Sequence, residues 1–263
     1  MNIYKELNNI IEYIETHLED EINIKEISKS IGMTEYTFQR IFAVLSNISL
    51  SEYIRYRRLS NAGQELYYNK DKIMDIAIKY GYNNATSFSR AFEKFHGIKP
   101  SEVRKNPERL KMYTKLHFNE QYELNESIEY KIIEKEKMIL YGNYINTDNK
   151  KIKEEAPKLY KECTSKYGEP IFGMVEYFDK ERTKVKSYWV LYYENKEKMK
   201  KIIIPKSAWI QIRINSQKAE EIQNTSNIFY KEFLPNCKYN IKNIPELEFY
   251  HDNITDFLIP IEN

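Results

Sequence analysis

The chain has 263 residues, of which 41% are hydrophobic and 30% charged, a profile that excludes a disordered polymer and a membrane-embedded protein and suits two compact domains. Its longest apolar stretches, such as KMILYGNYI and SYWVLYY, fall short of the roughly 20 residues a bilayer helix needs, and the polar, acidic opening MNIYKELNNIIEYIE is unlike a secretory signal, so a cytoplasmic protein without membrane contact is expected. The net charge of +2 hides a basic block: residues 22–112 carry a net +7, against −5 before them and 0 after, a balance that fits a nucleic-acid footprint and equally a solvated lysine-rich face.

In chain order, the first informative stretch is IKEISKSIGM (24–33), a short helix ended by Gly32. It returns as IMDIAIKYGY (73–82), ended by Gly81, with Ile27 falling on Ile76 and Ile31 on Tyr80. A glycine after a short helix supplies the positive φ a tight turn needs. A polar cap and a second helix follow each turn: Thr34 opens TEYTFQRIFAVL, and Asn83 or Asn84 opens NNATSFSRAFEKF. At helical spacing, Phe38, Ile41, Phe42 and Leu45 in one copy, and Phe88, Ala91, Phe92 and Phe95 in the other, face inward. That leaves Tyr36, Gln39 and Arg40, and Ala85, Thr86, Ser89 and Arg90, pointing outward. Helix, tight turn and helix with an exposed polar face is a helix-turn-helix, whose second helix enters the major groove. His96, at the end of the last helix, is expected to cap its final carbonyls.

Each copy closes on a shared Ser-Glu, so Ser51 and Ser101 are expected to cap third helices. The first of these, SEYIRYRRLSNAGQELYY (51–68), is long enough to space the two units rigidly, and its Arg55, Arg57 and Arg58 suit bidentate phosphate contact. Beyond a linker at 113–127 the apolar period changes from helical to alternating. Residues 128–145 predict one or two strands, 149–167 a helix kinked or restarted at Pro157 and ended by Gly168, and 171–178, 186–194, 200–205 and 208–214 further strands. A second helix over 219–236 and closing strands at 247–252 and 256–263 complete an α+β pattern of strand, helix and strands given twice. Cys163 and Cys237 belong to no CxxC or Cys/His cluster, so inert thiols are expected, with no metal and no cofactor.

Two helix-turn-helix units joined by a long helix resemble the DNA-binding domain of AraC/XylS transcription regulators over residues 3–109. EYIRYRRLSNAGQEL matches the linker pattern of that family, and IMDIAIKYGYNNATSFSRAFEKFHGIKPSEVR its signature. The resemblance implies an all-α domain over 1–112, with helix-turn-helix units near 22–46 and 72–96 reading successive major grooves of an asymmetric double-stranded DNA site. It places base contacts at Tyr36, Gln39, Arg40, Ala85, Thr86 and Arg90, and phosphate contacts at Thr34, Arg55, Arg57, Arg58 and Ser87. Ala85 and Thr86 are short for hydrogen-bonded readout, which leaves Arg90 as the main reader of the second helix, with Thr86 against a thymine methyl.

Residues 128–263 resemble the GyrI-like effector-binding domains through Leu234-Pro235, through Pro245 with Glu248 and Tyr250, and through Ile259-Pro260-Ile261. The combination is similar to Rob-like regulators, whose second domain holds small aromatic or cationic effectors in a pocket with an acidic residue. A carboxylate among aromatic rings attracts a lipophilic cation by charge and by the ring quadrupole. The candidates are Glu248 and Tyr250, which alternate onto one strand face, with Glu176, Trp189, Tyr193 and Trp209. Ordinary core packing is the rival reading for each aromatic. Two other functions are open: a protein-interaction module meeting RNA polymerase, and a GyrI-like hydrolase using Glu248 and Tyr250 as acid and base. The chain has only 7 glycines and no nucleophile triad or phosphate loop, so no enzyme is expected.

Overall fold

The computed structural model describes residues 3–69, 71–119, 128–179, 182–237 and 239–262. The helices of the first half are α1 (Ile3–Thr16), α2 (Ile24–Ser30), α3 (Glu35–Ser46), α4 (Leu50–Tyr68), α5 (Ile73–Lys79) and α6 (Ala85–His96). The chain divides into two compact units, one of residues 1–32 with 48–120 and one of residues 33–47 with 121–263. The first therefore holds α1, α2 and α4 to α6, while α3 is grouped with the C-terminal half.

In the first unit, α1 buries Ile3, Leu7, Ile10, Ile11 and Ile14 along one face, the i, i+4, i+7, i+8 pattern of an amphipathic helix. Asn23 caps α2 by accepting the Glu26 N–H. The cap of α4 is Ser49, whose side chain accepts from the Glu52 N–H, two residues ahead of the expected Ser51. Gly81 turns the chain between α5 and α6 with φ +80°, and Asn84 caps α6 through the Ser87 N–H at 2.8 Å. Leu59, Ala62 and Leu66 of α4, Ile76 and Ala77 of α5, and Phe88 and Phe92 of α6 form one buried cluster with Ile98 and Val103.

His96 does not cap its own helix. Its ring lies buried, with Nε2 3.0 Å from the Leu59 carbonyl and Nδ1 accepting the Lys111 N–H at 3.0 Å, which fixes the neutral tautomer with the proton on Nε2. Burial pushes this imidazole below the ordinary histidine range. The helix expected after Ser101 is a single 3₁₀ turn, Pro100–Glu102. Pro107 follows closely, and a residue before proline is driven from helical angles; Asn106 has φ −136° and ψ 56°. The start of the expected linker is packed: Asn8 and Phe118 exchange two hydrogen bonds of 2.8 and 2.9 Å. Residues 120–127 of that linker lie outside the described residues.

The second unit contains α3 and, in order, β1 (Tyr130–Lys135), β2 (Met138–Asn146), α7 (Ile152–Tyr167), β3 (Phe172–Tyr177), β4 (Val185–Tyr192), β5 (Lys200–Ile204), β6 (Ser207–Ile214), α8 (Ala219–Ile228), β7 (Leu247–His251) and β8 (Ile254–Ile261). The strands form one antiparallel sheet in the order β1-β6-β8-β7-β3-β4-β2-β5. The run β2-α7-β3-β4 has the same connectivity as β6-α8-β7-β8, and the two runs meet where Gly173 pairs with Glu248 and Phe172 with Phe249. Their preceding strands are exchanged, β1 bonding to β6 and β5 to β2. One sheet face buries Leu140, Phe172, Trp189, Trp209, Leu247 and Leu258. On the other, Tyr188, Val190 and Tyr192 pack with Leu159 and Cys163 of α7. That helix runs through Pro157 without a restart.

Candidate DNA-reading helices and effector cavity

Helix α6 buries Phe88, Phe92 and His96 and leaves Thr86, Ser87, Arg90, Glu93 and Lys94 exposed, with Ala85 half-buried at its start. Its open face thus carries a hydroxyl, a methyl and a guanidinium, the groups that meet base edges and phosphates in a groove.

Helix α3 carries the same frame and is placed differently. Thr34 caps it through the Thr37 N–H at 3.2 Å, while its own N–H donates to Asn240 Oδ1 at 2.9 Å. Thr37 Oγ1 accepts the Ile241 N–H at 3.0 Å. Arg40 is only 6% exposed; it donates to the Arg182 carbonyl at 3.0 Å, and its guanidinium lies 4.2 Å over the Tyr230 ring. In the reverse sense, the Arg182 guanidinium lies 5.6 Å from the Tyr36 ring. The Arg182 side chain pairs with Glu246, which also accepts the Tyr230 hydroxyl. Burial pushes the Tyr36 phenol up to about 12. Gln39 is half-buried and reaches Glu35 at 3.2 Å.

A cavity of about 530 Å³ opens between α7, α8 and the sheet. Tyr160, Tyr177, Tyr188 and Tyr250 supply aromatic walls, Ile152 and Ile222 apolar ones, and Glu246 and Glu248 carboxylates. Glu248 accepts hydrogen bonds from the hydroxyls of Tyr250 and Tyr188, the latter at 3.3 Å, and the two hydroxyls are 2.9 Å apart. Tyr160 meets the Tyr250 ring edge-on at 5.3 Å. Gly173 makes room for this cluster: a Cβ there would come 2.5 Å from Glu248 Oε2 and 2.6 Å from the Tyr188 hydroxyl. Burial raises the Glu248 carboxyl above the usual carboxylate range and the nearby Glu246 charge adds to the rise, while the two tyrosine hydrogen bonds oppose it. The hydroxyls of Tyr188 and Tyr250 are pushed far up by burial and then by Glu248, so they stay protonated donors.

A family profile described as a helix-turn-helix domain matches residues 27–106. The regulatory protein SoxS of Salmonella typhimurium is 36% identical over 98 residues, covering 37% of this chain and 92% of SoxS. The HTH-type transcriptional activator AarP of Providencia stuartii is 34% identical over 98 residues, covering 37% of this chain and 73% of AarP. The chain belongs to the AraC family of helix-turn-helix regulators. It is a DNA-binding transcription regulator. Both relatives match little more than a third of this AraC-family chain. Among solved structures, SAV2435 bound to tetraphenylphosphonium covers 52% of this chain and 95% of its own at 16% identity and a TM-score of 0.43, too slight a likeness to carry an inference.

The expected site residues of this AraC-family protein divide clearly. Thr86, Ser87 and Arg90 stand open on α6. Tyr36 and Arg40 lie against Arg182 and Tyr230 of their own unit, and the sequence carries no signal of that enclosure. Of the expected phosphate contacts on α4, Arg55 is exposed. Arg57 instead binds Glu15 and the Tyr113 carbonyl, and Arg58 binds the carbonyls of Leu18 and Asp20; their guanidinium groups hold the fold together. In the cavity, Glu248 and Tyr250 sit as their alternation implies. Trp189 and Trp209 fall on the opposite sheet face, in the apolar cluster; β4 turns Tyr188 and Val190, the neighbours of Trp189, toward α7 instead. Glu176 pairs with Lys186 at 2.6 Å and bonds Ser187. Tyr193 is 51% exposed beyond the end of β4. Tyr160, Tyr188 and Glu246 were missed, since cross-strand register and helix placement bring them in.

Proposed function

We propose that this AraC-family regulator reads an asymmetric duplex site, with α3 and α6 in successive major grooves, and that its second unit takes a small aromatic cation in the cavity at Glu248. On α6 the readers are Arg90 and Thr86, with Ala85 against a base edge and Ser87 on phosphate; on α3 they are Tyr36, Gln39 and Arg40, with Thr34 on phosphate. The observation that carries the effector reading is Glu248, bonded to the hydroxyls of Tyr188 and Tyr250, in a tyrosine-lined cavity of about 530 Å³, within the size range of small-molecule sites. Ring quadrupoles and a carboxylate favour a cation together, whereas a neutral ligand gains only burial. The doubled strand-helix-strands order and the GyrI-like motifs at Leu234-Pro235 and Pro245 support the same reading. The cavity is read as binding rather than hydrolytic, because Glu248, the one base of that reading, is already engaged by the hydroxyls of Tyr188 and Tyr250.

The test is calorimetry of the full chain with tetraphenylphosphonium, whose rings and spread charge suit such a cavity, against neutral triphenylphosphine oxide. The cation is expected to bind at least tenfold more tightly than the oxide, and Glu248→Gln to remove that preference. The Glu248 proton must leave for the full charge to act, so cation affinity is expected to fall as pH drops through the range just above ordinary carboxyl values. Equal binding of cation and oxide would sink the charged-pocket reading. No heat from either compound moves the role of the second unit to a protein partner such as RNA polymerase.

A further inference from the structure

We propose that Arg182, Tyr230 and Asn240 mask the DNA-reading face of α3 within the second unit and that Glu246 couples this mask to the effector cavity. The proposal rests on the effector reading above for its ligand and on separate geometry for the mask. Two arginine–tyrosine contacts run in opposite directions: Arg40 of α3 lies over Tyr230, and Arg182 lies against Tyr36 of α3. Two backbone N–H groups that donate to side chains, Thr34 to Asn240 Oδ1 and Ile241 to Thr37 Oγ1, anchor the first turn of α3 beside them. Glu35 is the one exposed residue of this helix, whereas the equivalent face of α6 is open. A helix held this way cannot present Tyr36 and Arg40 to a major groove.

Glu246 holds both halves of the clasp, accepting from the Arg182 guanidinium and from the Tyr230 hydroxyl, with side-chain exposures of 8% for Arg182 and 12% for Glu246. Glu246 and Tyr177 also line the cavity, and the Tyr177 ring lies 5.8 Å from the Arg40 guanidinium. A cation in the cavity competes with Arg182 for the Glu246 carboxylate. Loss of that pair frees Arg182 and Tyr230 from their fixed positions and releases Tyr36 and Arg40. Binding of the effector and of DNA thus favour the same released form, and each raises affinity for the other by the same factor.

The experiment uses the full chain and a duplex selected by it from a random-sequence library. In a Cys163→Ser, Cys237→Ser background, Thr34→Cys and Asn240→Cys are joined by a short disulfide-containing bismaleimide. The bridged protein is expected to bind the duplex at least tenfold more weakly than the same protein cleaved with dithiothreitol; equal affinities would overturn the mask. Glu246→Gln, with its fold checked through the fluorescence of Trp189 and Trp209, is expected to speed hydrogen exchange across 35–46 and tighten duplex binding about fivefold. A folded Glu246→Gln protein with unchanged exchange and affinity overturns the coupling. Tetraphenylphosphonium that binds by calorimetry and leaves exchange at 35–46 unchanged also overturns the coupling while the effector reading stands. A bridge effect without any cation binding supports the mask and defeats the effector reading alone.

Discussion

Arg55 and Arg57 stand two positions apart near the start of α4, and burial gives them opposite tasks. Arg55 is exposed beside Glu52 at 3.5 Å, a pairing worth little in water, and it is available to phosphate. Arg57 and Glu15 are paired at 2.6 Å with side chains only 13% and 12% exposed. Burial pushes the Glu15 carboxyl up, but hydrogen bonds from Arg57 and Tyr53, with the Arg57 charge, outweigh it and hold the group below its ordinary range. Replacing Arg57 by Met leaves that carboxylate uncompensated, an expected loss of about 3–5 kcal/mol at pH 7 by urea unfolding. A carboxyl depressed on folding stabilises fully above its ordinary value and loses that contribution as pH falls through the folded value, so the gap to wild type should close in acid. A gap independent of pH would remove Glu15 from the account. Arg90 makes a different prediction: Arg90→Ala should cost about 1–3 kcal/mol at the selected duplex and relax preference at one base position, read by competition with singly substituted duplexes. Uniform weakening on all sequences would place Arg90 on phosphate.

The repeated short helix, glycine turn and second helix depend on local backbone chemistry. Gly81 sits at φ +80°, and a Cβ there would also come 3.1 Å from Arg58 Nη1, the guanidinium that binds the Leu18 and Asp20 carbonyls. Gly81→Ala is therefore expected to cost about 1–2 kcal/mol from the left-handed backbone alone, with the displacement of Arg58 added. Urea unfolding measures it, and a neutral change would mean the turn relaxes freely. Helix α1 is legible in the spacing of Ile3, Leu7, Ile10, Ile11 and Ile14 alone, since its acidic residues lie off that buried face. The cap at Ser49 rather than Ser51 has a similar cause: both serines precede Glu52 and Tyr53, and only the observed hydrogen bond to the Glu52 N–H distinguishes them.

For the whole molecule, the basic block of net +7 at 22–112 contains residues 27–106, the stretch that the helix-turn-helix profile matches. Displaced counterions should make duplex binding fall steeply with salt, by about one unit of log–log slope per phosphate contacted. Arg55→Ala should lower that slope by about one and Arg58→Ala should leave it unchanged; a flat profile for the wild type would contradict the footprint. Among the described residues no helix is long and apolar enough to cross a membrane.

The sequence by itself determined the doubled helix-turn-helix, because glycine turns, polar caps and apolar spacing act within a few residues, and it determined the strand parity that puts Glu248 and Tyr250 on one face. Tertiary structure decided what needs distant partners. Strand register across β3, β4 and β7 brought Tyr188 to Glu248 and left Trp189 and Trp209 in the opposite core. The fold also set which arginines face water: Arg55 and Arg90 do, while Arg40, Arg57 and Arg58 are spent on carbonyls, a carboxylate and a ring. Exposure depends on what the rest of the chain lays over a side chain, and no local pattern encodes that.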